Sequence, residues 1–150
     1  MIERFESTFN EVNKEFGEVF KNLFKGGNAK LILTNPDDLL NTGVDIDACP
    51  PGKALKNMTT LSGGEMTLTA IALLFSILNI RIVPFCILDE VEAALDEANV
   101  DTFGTYIKNN ESKTQFVVIT HKKRTMEYAT NLYGITMQES GVSKLVSVKL

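Results

Sequence analysis

The chain has 150 residues, 44% of them hydrophobic and 23% charged, which suits one soluble globular domain with its own core. Fifteen basic residues against nineteen acidic ones leave a net charge of −4, which argues against a free-standing nucleic-acid binder without excluding DNA contact by a larger assembly. Two cysteines, Cys49 and Cys86, lie far apart with no C-x-x-C and no neighbouring histidine, so a disulfide framework is not expected and a reducing, cytoplasmic setting is.

The opening MIERFESTFN lacks an apolar core and carries acids early, so it does not read as a signal peptide. Ile2, Phe5, Phe9, Val12, Phe16, Val19 and Leu23 recur at alternating spacings of three and four, with polar residues between them. That is an amphipathic helix with a heptad-like seam, ended by Gly26 and Gly27. Such a helix either lays its phenylalanines on its own domain or forms the foot of a coiled coil, and it can do each at opposite ends. AKLILT and GVDIDA are strand candidates around an NPDD turn, and CPPGK predicts an extended loop because neither proline can donate to a ladder.

From Leu61 the pattern changes. The spacing predicts a long apolar helix from 64 to about 78. The apolar stretch 70–88 approaches membrane length, but Asn79, Arg81 and Pro84 interrupt it and favour helix, turn and strand. RIVPFCILDE reads as a strand covered on both faces and ending in two acids. VEAALDEANVDTFGTYIKNN reads as a second helix with Val100, Phe103, Tyr106 and Ile107 on its apolar face. TQFVVITH is a second buried strand ending on the only histidine, KRTMEYATNL a short helix, and YGITMQESGVSKLVSVKL two strands around an SG turn. Strand, helix, strand, helix predicts a parallel sheet with crossover helices. No internal repeat or low-complexity tract interrupts it.

Ligands gather at the carboxyl ends of parallel strands, and two strands here end in polar residues: Asp89-Glu90 and His121. Adjacent carboxylates repel and are costly to desolvate, so a strand end bearing two of them suits a bound cation. Ser62, Gly63 and Gly64 open the long helix, whose free N–H groups and positive dipole end attract an anion. Taken singly, each has a plainer role: punctuation after a strand, a hydrogen-bonding histidine, an N-cap. Yet no G-x-x-x-x-G-K-[ST] phosphate loop occurs anywhere in the chain.

Together LSGGE (61–65), FCILDE (85–90), AALDEAN (93–99) and FVVITH (116–121) resemble, in order and spacing, the signature motif, Walker B, D-loop and switch histidine of ABC-type ATPases. ACPPGKALKN, IALLFSIL, PFCILDEVEAALDEANVDTF and YGITMQESGVSKLVSVKL resemble more narrowly the C-terminal half of the head of a bacterial structural-maintenance-of-chromosomes (SMC, condensin-type) protein. The resemblance implies an α/β fold: the C-terminal lobe of an ABC-type ATPase head, mostly parallel sheet with flanking helices and small antiparallel strands. Residues 1–25 would lead from a coiled coil into the lobe, and 26–150 would form it. In that family the phosphate loop lies in the N-terminal half of the chain, beyond a long coiled coil, so its absence here fits a separated lobe. Met66 departs from the family, which often has a basic residue there.

The resemblance also implies ATP and Mg²⁺ as substrate and cofactor, and a nucleotide sandwiched between two heads. Ser62, Gly63, Gly64 and Glu65 would grip the partner head's γ-phosphate. Asp89 would hold Mg²⁺, most simply through water; Glu90 would activate the attacking water and His121 would sense the γ-phosphate; Asp96 would couple the two sites. Implied partners are the N-terminal half of the same head, a second head in a homodimer, the winged-helix end of a kleisin, and DNA through the full complex. No membrane contact is implied, and the setting would be nucleoid-associated cytoplasm. Two alternatives stand beside this: a head fragment of another ABC-type DNA-repair ATPase of the RecN kind, and a kleisin-binding scaffold without activity of its own. HKKR (121–124) is the only basic cluster and reads as a solvated helix start.

Overall fold

A computed structural model of the protein describes residues 2–53, 56–57 and 60–149. Helix α1 (Ile2–Leu23) forms where the seam predicts, but only its second half enters the core. Phe16, Val19, Phe20 and Leu23 are buried, whereas Ile2 and Phe5 are exposed. Phe20 lies beside the predicted seam, yet it is fully buried, stacks on Phe24 at 4.1 Å and meets Phe16 edge-on at 6.2 Å. Burying each such ring contributes about 1.5–3 kcal/mol. The chain then reverses through Gly26 and Gly27, at φ 136° and 78°. A Cβ on Gly27 would lie 2.3 Å from the Cys49 carbonyl oxygen, so only glycine turns this closely against the neighbouring strand.

Strand β1 (Asn28–Leu33) pairs antiparallel with β2 (Val44–Cys49), with Leu31 opposite Ile46. A short strand β3 (Lys56–Asn57), not anticipated from the sequence, adds to β2 just beyond the CPPGK loop. Ala54 and Leu55, inside the ACPPGKALKN match, lie outside the described residues, as does Leu150 at the end of the chain. Asn13 pins α1 to β1 by donating to the Leu31 carbonyl at 3.0 Å and accepting from its N–H at 2.7 Å.

Helix α2 (Gly63–Ile80) packs against α1 and buries Leu68, Ile71, Ala72 and Phe75. By length and composition it is apolar enough to cross a membrane, but here its buried face belongs to the core. Phe75 stacks on Tyr106 at 4.3 Å, and Asn79 donates to both Glu15 and Tyr106, which ties three helices together.

Strand β4 (Phe85–Asp89), helix α3 (Glu97–Asn110) and strand β5 (Gln115–Ile119) form the expected strand–helix–strand unit, with Ile87 beside Val117 in a parallel pair. Helix α3 starts later than the sequence predicts. Residues 91–95 form turns instead, closed by Ala93 N–H to Glu90 and Leu95 N–H to Glu92, because Asp96 caps α3. A single helical turn, α4 (Lys123–Met126), leads to the hairpin of β6 (Asn131–Glu139) and β7 (Val142–Lys149).

Two expectations are corrected. The sheet is not mostly parallel: among the described residues parallel pairing is confined to β4 and β5, and β1–β2–β3 and β6–β7 are separate antiparallel sheets. Nor are β4 and β5 covered on both faces. Leu88 is buried and Cys86, Phe116 and Val118 are half-buried, but Phe85, Ile87, Val117 and Ile119 are 45–59% exposed. Burial lifts the Cys86 thiol above its usual range, as a small core residue requires.

Candidate functional site

The carboxyl ends of β4 and β5 bring the predicted acid and histidine together. Asp89 closes β4 with its side chain exposed. Glu90 follows at φ 48°, in the left-handed region where a non-glycine residue is uncommon, and its N–H donates to the Ile119 carbonyl at 3.0 Å. That backbone turn aims the side chain across the strand ends. His121, two positions beyond β5, places Nδ1 3.3 Å from Glu90 Oε1 although the residues are 31 apart in the chain. Both side chains remain open to solvent, so the pair adds little to stability and is accessible from outside.

The second element is the start of α2. Ser62 is the N-cap: its Oγ accepts from the Glu65 N–H at 3.3 Å, while Glu65 Oε2 accepts from the Ser62 N–H at 3.0 Å, which completes a capping box. Lys53 donates to the other Glu65 oxygen at 2.5 Å. The Lys53 hydrogen bond first, and the Ser62 N–H second, bring the Glu65 carboxyl from 4.5 down to about 2. Glu65 is therefore a fixed anion with an internal role in the cap.

The two glycines differ. A Cβ on Gly63 meets nothing within 4 Å, so its backbone faces open space and an outside group can approach it. A Cβ on Gly64 would lie 3.3 Å from the Ala94 carbonyl, so this glycine lets the helix start rest on the turn before Asp96. Asp96 is itself engaged as the N-cap of α3, with Oδ1 accepting from Asn99 N–H at 2.8 Å. Among the described residues no hydrogen bond joins the 61–65 turn to Glu90 or His121. The start of α2 and the Glu90–His121 pair are separate features.

No group of three or more histidine, cysteine or acidic side chains is gathered among the described residues. Asp89 is one exposed carboxylate, which fits a magnesium ion because that ion takes one or two carboxylates and fills its shell with water and phosphate oxygens.

The HKKR cluster is largely used internally. Arg124 donates through Nε and Nη2 to Asp101 and through Nη1 to Glu127, and Lys122 donates to the Leu95 carbonyl. The guanidinium holds the Asp101 carboxyl below its usual range. One residue escaped the sequence reading altogether. Glu92 is 1% exposed, and its Oε1 accepts from Thr120 at 2.5 Å and from Thr125 at 3.0 Å. The available signal was an acid in the otherwise apolar VEAAL, which a helical reading treats as solvent-facing.

Comparison with known proteins places the chain among SMC relatives. Residues 4–144 match the family model described as the RecF/RecN/SMC N terminal domain. Chromosome partition protein Smc of Bacillus subtilis (strain 168) is 64% identical over all 150 residues, and that of Lactiplantibacillus plantarum 58% over 147. The chain spans only 13% and 12% of the lengths of those relatives. A chain solved in work on ATP-driven dimerization and DNA-stimulated activation of SMC ATPases superposes with a TM-score of 0.91 at 39% identity, covering 99% of this chain and 90% of that one. An Smc head bound to the C-winged helix domain of ScpA superposes at 0.88 with 42% identity, covering 97% of this chain and 44% of that one.

Proposed function

The chain belongs to the RecF/RecN/SMC family, and from that premise we propose that it is the C-terminal half of an SMC ATPase head, acting in ATP-driven head dimerisation and hydrolysis for chromosome condensation and segregation. The observation that carries this reading is the Glu90–His121 pair at 3.3 Å across the ends of two parallel strands. The assignment to the C-terminal half draws on two further features. The sequence has no phosphate loop. The outer face of β4 and β5 presents Phe85, Ile87, Val117 and Ile119 to solvent, an apolar surface that suits the remaining half of a head.

In this reading the chain supplies half of each of two nucleotide sites. Ser62 and the backbone at Gly63 receive the γ-phosphate of ATP held by the opposite head, using helix N–H groups and dipole. Within its own head, Glu90 orients the attacking water and accepts its proton, and His121 donates to the γ-phosphate oxygens. Asp89 would hold Mg²⁺, which neutralises charge on the β- and γ-phosphates. Asp96, the N-cap of α3, would couple the two sites across the interface. Losing the γ-phosphate removes the anion from the Ser62–Gly63 surface, and the heads part.

Solved SMC heads bound to ScpA support the winged-helix end of a kleisin as a partner, and the exposed first half of α1, with Ile2 and Phe5, suits the foot of a coiled coil. DNA contact would then belong to the full cytoplasmic, nucleoid-associated complex.

The test is reconstitution. The chain alone should show no ATP turnover above its Glu90→Gln variant. Mixed with a polypeptide carrying the N-terminal half, the wild type should hydrolyse ATP, Glu90→Gln should hold ATP and stay dimeric, and Ser62→Arg should bind ATP and stay monomeric in sedimentation. Steady hydrolysis by the unpaired chain, or identical behaviour of the two variants, refutes the scheme.

A further inference from the structure

Glu92 is a poor choice for stability. It is a carboxylate 1% exposed to solvent, with Oε2 lacking a hydrogen-bond partner among the described residues. A buried acid so placed is costly, and an apolar side chain of similar size would pack there at less expense. Unfavourable polar burial of this kind concentrates where a site must be held in one geometry.

Its hydrogen bonds say what it holds. Thr120 Oγ1 donates to Glu92 Oε1 at 2.5 Å and accepts from the Lys122 N–H at 3.0 Å. The hydroxyl thus closes a tight turn over His121, the residue between. A hydroxyl has one proton to donate besides its lone pairs; the Lys122 N–H uses a lone pair, and the proton still needs an acceptor. Glu92 is that acceptor, with Thr125 as a second donor at 3.0 Å. The Lys122 ammonium then donates to the Leu95 carbonyl, the residue before Asp96. The loop bearing His121 is in this way anchored at both sides to the turn that follows Glu90.

We propose that Glu92 is a positioning residue for the hydrolysis site: through Thr120 it fixes the 120–122 turn and so keeps His121 Nδ1 at its observed distance from Glu90. The inference rests on the reading of Glu90 and His121 given above. Glu92 touches neither nucleotide nor water; it acts through Thr120.

The experiment uses the head assembled from this chain and its N-terminal half, measuring kcat, KM for ATP and ATP-dependent dimerisation. Glu92→Leu and Thr120→Val should each lower kcat about tenfold or more with KM changed less than about threefold, whereas Glu92→Gln, which keeps an acceptor at Oε1, should stay within about threefold of wild type. On a His121→Ala background the Leu and Val substitutions should cost less than about twofold more, because residues acting as a unit are non-additive. Dimerisation in a Glu90→Gln background should be unchanged. Should Glu92→Leu not fold, Thr120→Val carries the same test, because it removes the linking hydroxyl while keeping the size and shape of the side chain. Unchanged kcat in Thr120→Val, or an equal loss with and without His121, overturns the inference and leaves the ATPase reading standing. An inactive wild-type head overturns both.

Discussion

The two ends of the molecule treat apolar surface in opposite ways. Where α1 meets α2, Phe16, Phe20, Leu68, Ala72 and Phe75 are all at or below 1% exposure, and the core is closed by the chain's own residues. Where β4 meets β5, alternate residues point away from that core: Phe85, Ile87, Val117 and Ile119 cover one face of the sheet, and among the described residues they stay 45–59% exposed. The hairpin β6–β7 also exposes Tyr133, Ile135, Leu145 and Val146. The first region is covered by residues of this chain, whereas the second leaves one apolar face open. Glu90 and His121 sit at the ends of these two strands, so under the proposed function covering this face and activity would be linked.

The sharpest way to break this comparison is to empty the closed core. Phe20→Ala should cost about 3–5 kcal/mol, read from chemical denaturation of the chain, because its ring is fully buried between two other rings. A loss under about 1 kcal/mol would mean that the α1–α2 core is not closed in solution. Next in size is Gly27→Ala. The added methyl would meet the Cys49 carbonyl, and the positive φ disfavours any side chain, so about 2 kcal/mol or more should be lost in the same assay.

A smaller effect concerns the signature turn. Glu65 titrates at about 2 when folded and near 4.5 otherwise, so its Lys53 hydrogen bond, and after it the Ser62 N–H bond of the capping box, add stability that is complete above 4.5 and is lost as pH falls through this interval toward 2. Lys53→Ala removes the largest cause. The Glu65 resonance should then titrate closer to 4.5 in an NMR pH series, and the acid-limb decline in stability should flatten. The smallest effect should be at the open sheet. Ile87→Ser should change the stability of the isolated chain by less than about 0.5 kcal/mol, yet weaken association with the N-terminal half about tenfold or more. Equal affinity of Ile87→Ser and wild type would show that the exposed face is not where the other half docks.

Local chemistry was legible where one residue type enforces one conformation. The three-and-four spacing set α1, the SGG stretch with its N-cap serine marked the start of α2 to within a residue, and GVDIDA marked the second strand. The turn at 91–95 was not legible, because Glu, Ala and Leu favour helix and only Asp96 capping α3 interrupts them. Glu92 escaped for the same reason: on a helix it would face solvent, and in a turn it is buried under Thr120 and Thr125.

By itself the sequence determined the motifs, their order, the strand–helix–strand unit and the acid and histidine at its strand ends, since these follow from periodicity, caps and residue chemistry within a few positions of each other. Only the tertiary structure decided that Glu90 and His121 lie 3.3 Å apart, that Gly64 rests on Ala94, and that the apolar strands are bare on one face. The physical reason is range. Hydrogen-bond geometry and packing between residues 31 positions apart depend on where the intervening helix delivers the chain, and an apolar run reports that a strand wants cover without saying which polypeptide provides it.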